Sequence, residues 1–211
     1  MCSLSRKISH FNFNVFLKCD IYSDRINQED SLMNKKLPLN LDVGCAFRKP
    51  KGYWGIDKVK VKDVDQSVDL SKFPWPLPDN HFEEIRVWHI LQFLPNTVKT
   101  MEEVWRIAKP GAKITIAVPY YMSALAFGDP AHIRYFSEET FKFFTNDSWY
   151  IFNHSAYTVA KFKIIKQELR TTGRWRKYLP FKRFLRFFIW NLIDELVVEM
   201  EVEKLSRSKP R

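Results

Sequence analysis

The chain has little glycine and little cysteine: six and three residues, respectively, among 211. Cys2, Cys19 and Cys45 fall at no paired spacing. That excludes a zinc knuckle or a disulfide framework and makes a reduced, cytoplasmic setting the default. No metal is expected. No apolar stretch is long and uncharged enough to span a bilayer. The first 36 residues show neither the unbroken apolar core nor the small-residue cleavage site of a signal peptide. Neither a helix-turn-helix nor an RNA-recognition motif is evident.

What is present describes one globular, cationic domain. Hydrophobic residues make up 45% of the chain and charged ones 27%, with a net charge of +10, so the chain can bury a sizeable core. Residues 1–36 read as a variable cap over a sheet edge. Residues 37–144 read as an alternating α/β core, and 145–211 as C-terminal strands with an inserted basic amphipathic helix over 176–195.

The informative stretch is Leu39-Asn40-Leu41-Asp42-Val43-Gly44-Cys45-Ala46, an apolar strand that breaks at a glycine. Glycine there lets a ligand approach the backbone, and Asp57, closing the next strand, can accept hydrogen bonds from a ribose diol. Further strands are expected over Lys62–Leu70 and Phe82–His89. A helix is expected over Met101–Ala108, followed by a Lys109-Pro110-Gly111 turn into a strand over Lys113–Pro119. Such alternation implies a mostly parallel sheet that takes ligands at the carboxyl ends of its strands.

In their order these pieces resemble the class I S-adenosylmethionine-dependent methyltransferases. The series runs LDVGCA, GID, VDL, FPWPLPDNHFEEI and EEVWRIAKPGAKITIAVP, and covers about half the chain. Asp129 to Ser137 is similar to a segment of a small bacterial branch found near cell-surface polysaccharide genes. The resemblance implies a Rossmann-like fold: a mostly parallel seven-stranded sheet with an antiparallel strand near the C-terminal edge. It implies S-adenosylmethionine as cofactor, with Asp42, Gly44 and Cys45 beside the methionine portion and Asp57 on the ribose. Asp69 and the Leu70 backbone would meet adenine, and His89 would lie near the sulfonium.

Methyl transfer from a sulfonium needs mainly positioning, so only a base for the acceptor is sought. His89 and His132 are the candidate bases, with Asp129, Tyr120 and Tyr121 as orienting groups. The sequence departs from the family pattern in three places. Ala46 stands where a second glycine is usual. The Gly44–Tyr53 segment is too short for a full crossover helix, which predicts a loop or a single turn. Gln92 and Phe93 replace an acid and a histidine.

Within 176–195, Phe181, Phe184, Leu185, Phe188, Ile189 and Leu192 share one helical face, while Lys182, Arg183 and Arg186 cluster beside Trp190 on another. This segment suits packing on the protein body or contact with an anionic membrane surface, which would place the protein peripherally at the inner membrane face. Three functional readings follow. The first is methylation of an oxygen or nitrogen on a small molecule, glycan or lipid-linked glycan. The second is methylation of RNA or protein guided by basic patches, and the third a catalytically silent cofactor-fold binding module.

Overall fold

The computed structural model describes residues 37–146, 158–173 and 176–204; the expected cap over 1–36 lies outside them. The chain divides into two compact units, 1–37 and 38–211, and the described elements belong to the second. Seven strands form one sheet: β1 (Asn40–Val43), β2 (Trp54–Asp57), β3 (Gln66–Ser67), β4 (Phe82–Trp88), β5 (Ala108–Pro119), β6 (Lys161–Arg170) and β7 (Glu195–Glu203). Their order is β3-β2-β1-β4-β5-β7-β6. β7 runs antiparallel to β5 and β6, and every other pair is parallel. The chain leaves β1 toward one edge and returns to β4 on its other side, so the switch point lies between the carboxyl ends of β1 and β4.

Side chains alternate across a strand, and here the alternation separates two unlike faces. On one face Leu41, Ile85, Val87, Ile114, Ile116, Val198 and Met200 are fully buried. Helix α1 (Thr97–Ile107) contributes Met101, Val104 and Ile107 to the same apolar core, with Asn96 capping it by accepting from the Lys99 amide at 3.0 Å. Helix α2 (Ala124–Phe127) and helix α3 (Glu138–Lys142) follow β5, and Phe141 of α3 stacks on Phe136.

The opposite face is charged. In one row across four neighbouring strands the registered residues are Glu84, Lys113, Glu201 and Lys163, alternating in sign. Opposed charges at cross-strand positions stabilise the pairing without an apolar cover. Among the described residues this face closes only toward the carboxyl ends, where Ala117, Val197 and Glu195 are buried. Asp42 also points there and is fully buried, with both oxygens accepting from Arg86 Nη1 at 3.2 and 3.0 Å. The Arg86 guanidinium in turn lies 4.5 Å from the centroid of Trp88.

Several expectations are corrected. Of the strand expected over Lys62–Leu70, only Gln66–Ser67 pairs, because turns fill the rest. The expected turn at Lys109-Pro110-Gly111 is instead a bulge within β5: Phe82 pairs with Ala108, but the ladder resumes only at Glu84 with Lys113. The helix begins at Thr97 rather than Met101, as its asparagine cap dictates. The continuous helix over 176–195 is absent among the described residues. A 3-10 turn at Arg176–Tyr178, the single-turn helix α4 (Lys182–Leu185) and bends stand in its place. Phe181 adopts a left-handed conformation (φ 53°), which breaks the run that Pro180 was expected to start. Phe181, Phe184 and Phe188 are exposed, so the burial that holds an amphipathic helix together is not gained there.

Burial raises the Asp42 carboxyl to about 6, and Arg86 acts against that rise. A carboxyl whose folded value exceeds its unfolded one favours folding in acid, and that contribution is lost as pH rises from about 4 through 6. Arg86→Met would remove the cation bonded to this carboxylate. Thermal and denaturant unfolding should show a loss of about 3 kcal/mol at pH 8. The loss should be smaller at pH 5, where Asp42 takes up a proton.

Candidate functional site

The site lies on the carboxyl edge at the switch point. Gly44, one residue past β1, has φ +73°, a conformation that side chains resist. A Cβ added there would lie 2.6 Å from Ile90 Cβ, so the turn and the β4 exit are in direct contact. The route to β2 contains no helix. Cys45 and Lys49 instead lie directly over Gly55, where an added Cβ would meet Cys45 Sγ at 2.6 Å. This close packing lets ten residues complete a parallel crossover that normally needs a helix. Ala46, at the expected second glycine, is also left-handed, with φ 40°.

Asp57 holds this corner. Its Oδ2 accepts from the Ala46 amide at 3.1 Å and its Oδ1 from the Val59 amide at 3.1 Å. Each oxygen keeps capacity for a further donor. Asp69 closes the neighbouring strand end in a tight turn, its Oδ1 accepting from the Ser71 amide and hydroxyl at 3.2 and 2.6 Å. Those bonds hold its carboxyl below the usual range. Lys58, next to Asp57, approaches Asp69 Oδ2 to 3.8 Å, so the two acids share one edge. The Leu70 carbonyl accepts from Trp75 Nε1 at 3.2 Å. Asp42 lies close to this corner, enclosed with Arg86 and near enough to Asp57 for the two charges to interact. Burial pushes the Cys45 thiol up to about 12, which makes it a poor nucleophile.

His89 follows β4 with φ 52°, a left-handed conformation uncommon outside glycine. Such outliers persist where their surroundings fix them, and His89 is fixed three times. Its amide donates to the Ala117 carbonyl at 2.8 Å, its own carbonyl accepts from Gln92 Nε2 at 2.8 Å, and its Nε2 lies 2.8 Å from Glu195 Oε1. An ionised Glu195 can only accept, so Nε2 carries the proton and Nδ1 is the basic nitrogen. Arg170 Nη1 stands 4.0 Å from the other Glu195 oxygen. Glu195 carries no motif in the sequence. The one signal was its place as the first acid of an alternating β7, and 106 residues separate it from its partner.

His132 is tied to the same exit. The Gln92 carbonyl accepts from the Ile133 and Arg134 amides at 2.9 and 3.2 Å, and the Phe93 and His132 rings meet edge-on with centroids 4.7 Å apart. His132 Nδ1 lies 3.0 Å from the Ala126 carbonyl, so Nδ1 carries the proton and Nε2 is basic. Asp129 shapes this loop by accepting from the Ala131 amide at 2.9 Å. Tyr120 is buried, with its hydroxyl 3.3 Å from Arg186 Nη1. Burial and Glu138 raise its phenol well above the usual range, which keeps it a donor. Tyr120, Tyr121, Tyr135, Ser137, Glu138 and Arg186 line a cavity of about 570 Å³.

No family model matches this chain, and no curated protein does. Solved structures do. The YcgJ protein from Bacillus subtilis is 12% identical over 85% of this chain and 99% of that one, with a TM-score of 0.50. The [4+2]-cyclase SpnF is 17% identical over 79% of this chain and 76% of that one, also at 0.50. An S-adenosylmethionine-dependent methyltransferase from Archaeoglobus fulgidus is 15% identical over 90% of this chain and all of that one, with a TM-score of 0.48. The two structures at 0.50 share this chain's fold, which by its strand order is a Rossmann-like, mostly parallel seven-stranded sheet with an antiparallel strand near the C-terminal edge.

The corner has its own test. Gly44→Ala would force a side chain into a left-handed turn and into Ile90. Strain and overpacking together should lower stability by about 3 kcal/mol, read from the denaturant midpoint.

Proposed function

We propose that this protein is a methyltransferase that binds S-adenosylmethionine and methylates an oxygen or nitrogen of a glycan or lipid-linked glycan. The observation that carries the reading is the corner itself: a glycine turn at the switch point with the Asp57 carboxylate bonded to it. A nucleoside fits the donors and acceptors present. Asp57 retains acceptor capacity for a ribose diol, and Asp69 offers a carboxylate of lowered pKa to an adenine amine.

The bound cofactor supplies a methyl group already activated on sulfur. The chain therefore has to orient an acceptor and remove its proton. His89 Nδ1 is the base, and Glu195 both fixes the tautomer and stabilises the imidazolium that forms. His132 Nε2 is a second basic nitrogen on the same exit. Tyr120 and Tyr121, with Arg186, give the cavity aromatic faces and hydrogen-bonding groups suited to a sugar ring.

Calorimetry tests the binding half. The native chain should bind S-adenosylmethionine, and Asp57→Ala should weaken it roughly tenfold or more by removing charged acceptors from the diol. Glu195→Gln should leave cofactor affinity within about twofold and slow methylation of a glycan acceptor about a hundredfold. No heat of binding in the native protein would refute the proposal.

A further inference from the structure

We infer that the aromatic segment following the 3-10 turn at Arg176–Tyr178, together with the loop after β5, forms a docking surface for an anionic lipid bilayer. This goes beyond methyl transfer and does not depend on it.

The first observation is exposure. Tyr178, Phe181, Phe184, Phe187, Phe188 and Trp190 show between 58% and 81% of their surface to solvent. Large apolar side chains exposed together, rather than singly, mark an interaction surface. The second is contiguity with a separate part of the chain. The Asn191 amide donates to the Met122 carbonyl at 2.8 Å, and Asn191 Oδ1 accepts from the Ala124 amide at 2.9 Å. Those bonds bring α2 and its exposed Leu125 and Phe127 beside the segment. Phe127 stacks on Tyr135 with centroids 4.7 Å apart, and Tyr135, Tyr121 and Phe187 line the same cavity. The exposed apolar surface therefore continues into the lining of that cavity.

The third observation is charge. From Arg170 to Ile193 the sequence holds seven basic residues and no acidic one. Arg170, Arg176 and Arg186 pair with Glu168, Asp194 and Glu138 from outside the segment, and the excess positive charge of the rest is matched to anionic headgroups. The apolar side chains decide between a bilayer and a nucleic acid. Four of the six exposed aromatics are phenylalanines, and Ile133, Leu125 and Ile189 are exposed beside them. Aliphatic and phenyl groups gain by entering the acyl boundary, whereas base stacking makes no use of the aliphatic ones. Among the described residues no helix is long and apolar enough to cross a membrane, so the contact is with the interface alone. The broken helix is consistent with this: its aromatic side chains face outward, while Leu192 is buried against the body.

Vesicle co-sedimentation of the full chain, without cofactor, tests the inference. Binding to phosphatidylglycerol-containing vesicles is expected, with much weaker binding to phosphatidylcholine alone. The triple variant Phe181→Ser, Phe184→Ser and Phe188→Ser should lower partitioning at least about tenfold, because each phenyl contributes apolar burial at the interface. Its melting temperature should be unchanged, since all three side chains are exposed. Lys182→Glu should weaken binding to anionic vesicles and leave the phosphatidylcholine baseline where it was. Three results would overturn the proposal: equal partitioning of native and triple variant, retention on single-stranded RNA but not on vesicles, or a dimer that the serine substitutions dissociate. Cofactor calorimetry is unaffected by any of these, so the two proposals fail separately.

Discussion

Everything at the carboxyl edge depends on the contact between Gly44 and Ile90. Two strand exits meet there with no room for a Cβ. The contact holds the turn after β1 against the exit from β4, and His89 is the residue that must bend to allow it. A left-handed histidine is costly, and the cost is offset by two backbone bonds and the Glu195 carboxylate. The geometry that brings Asp57 and His89 to one edge thus originates in a residue with no side chain.

The sheet also departs from the usual doubly wound pattern. Parallel sheets normally bury both faces under helices, and their strands then read as unbroken apolar runs. Here the connections from β1 to β2, β2 to β3 and β3 to β4 carry no helix, and one face bears charged rows instead. This shows directly in the sequence of β7, where Glu199, Glu201 and Glu203 alternate with Val198, Met200 and Val202. On that face Asp42 is buried beneath the half-buried Arg86 and Trp88. There a charged pair and an indole fill the space that a crossover helix would otherwise cover.

How much was legible follows from these forces. β1, β2, β4 and β7 were readable because their apolar positions alternate or run together and end at glycine or acid. The two-residue β3 is too short to carry a pattern, and the bulge in β5 was hidden because Pro110-Gly111 looks the same in a bulge as in a turn. The helix over 176–195 misled because its periodicity is real. A helical face is stabilised by what it packs against, and that partner cannot be read from the segment itself. For the site, Asp57, Asp69 and His89 were named from their places at strand ends. Glu195 was not, since a pair separated by 106 residues exists only once β7 is inserted between β5 and β6.

The two departures after β4 have a common explanation in the structure. Gln92 donates to the His89 carbonyl and fixes the strained backbone, while Phe93 packs against His132. Neither supplies an acid. The carboxylate beside His89 comes from β7, on the other side of β5 in the sheet. A base oriented from β7 does not need an acid in the turn after β4, so a glutamine and a phenylalanine there are compatible with catalysis. The turn is then free to brace the backbone, and the base of the proposed reaction is oriented by a contact between two strands that are not neighbours.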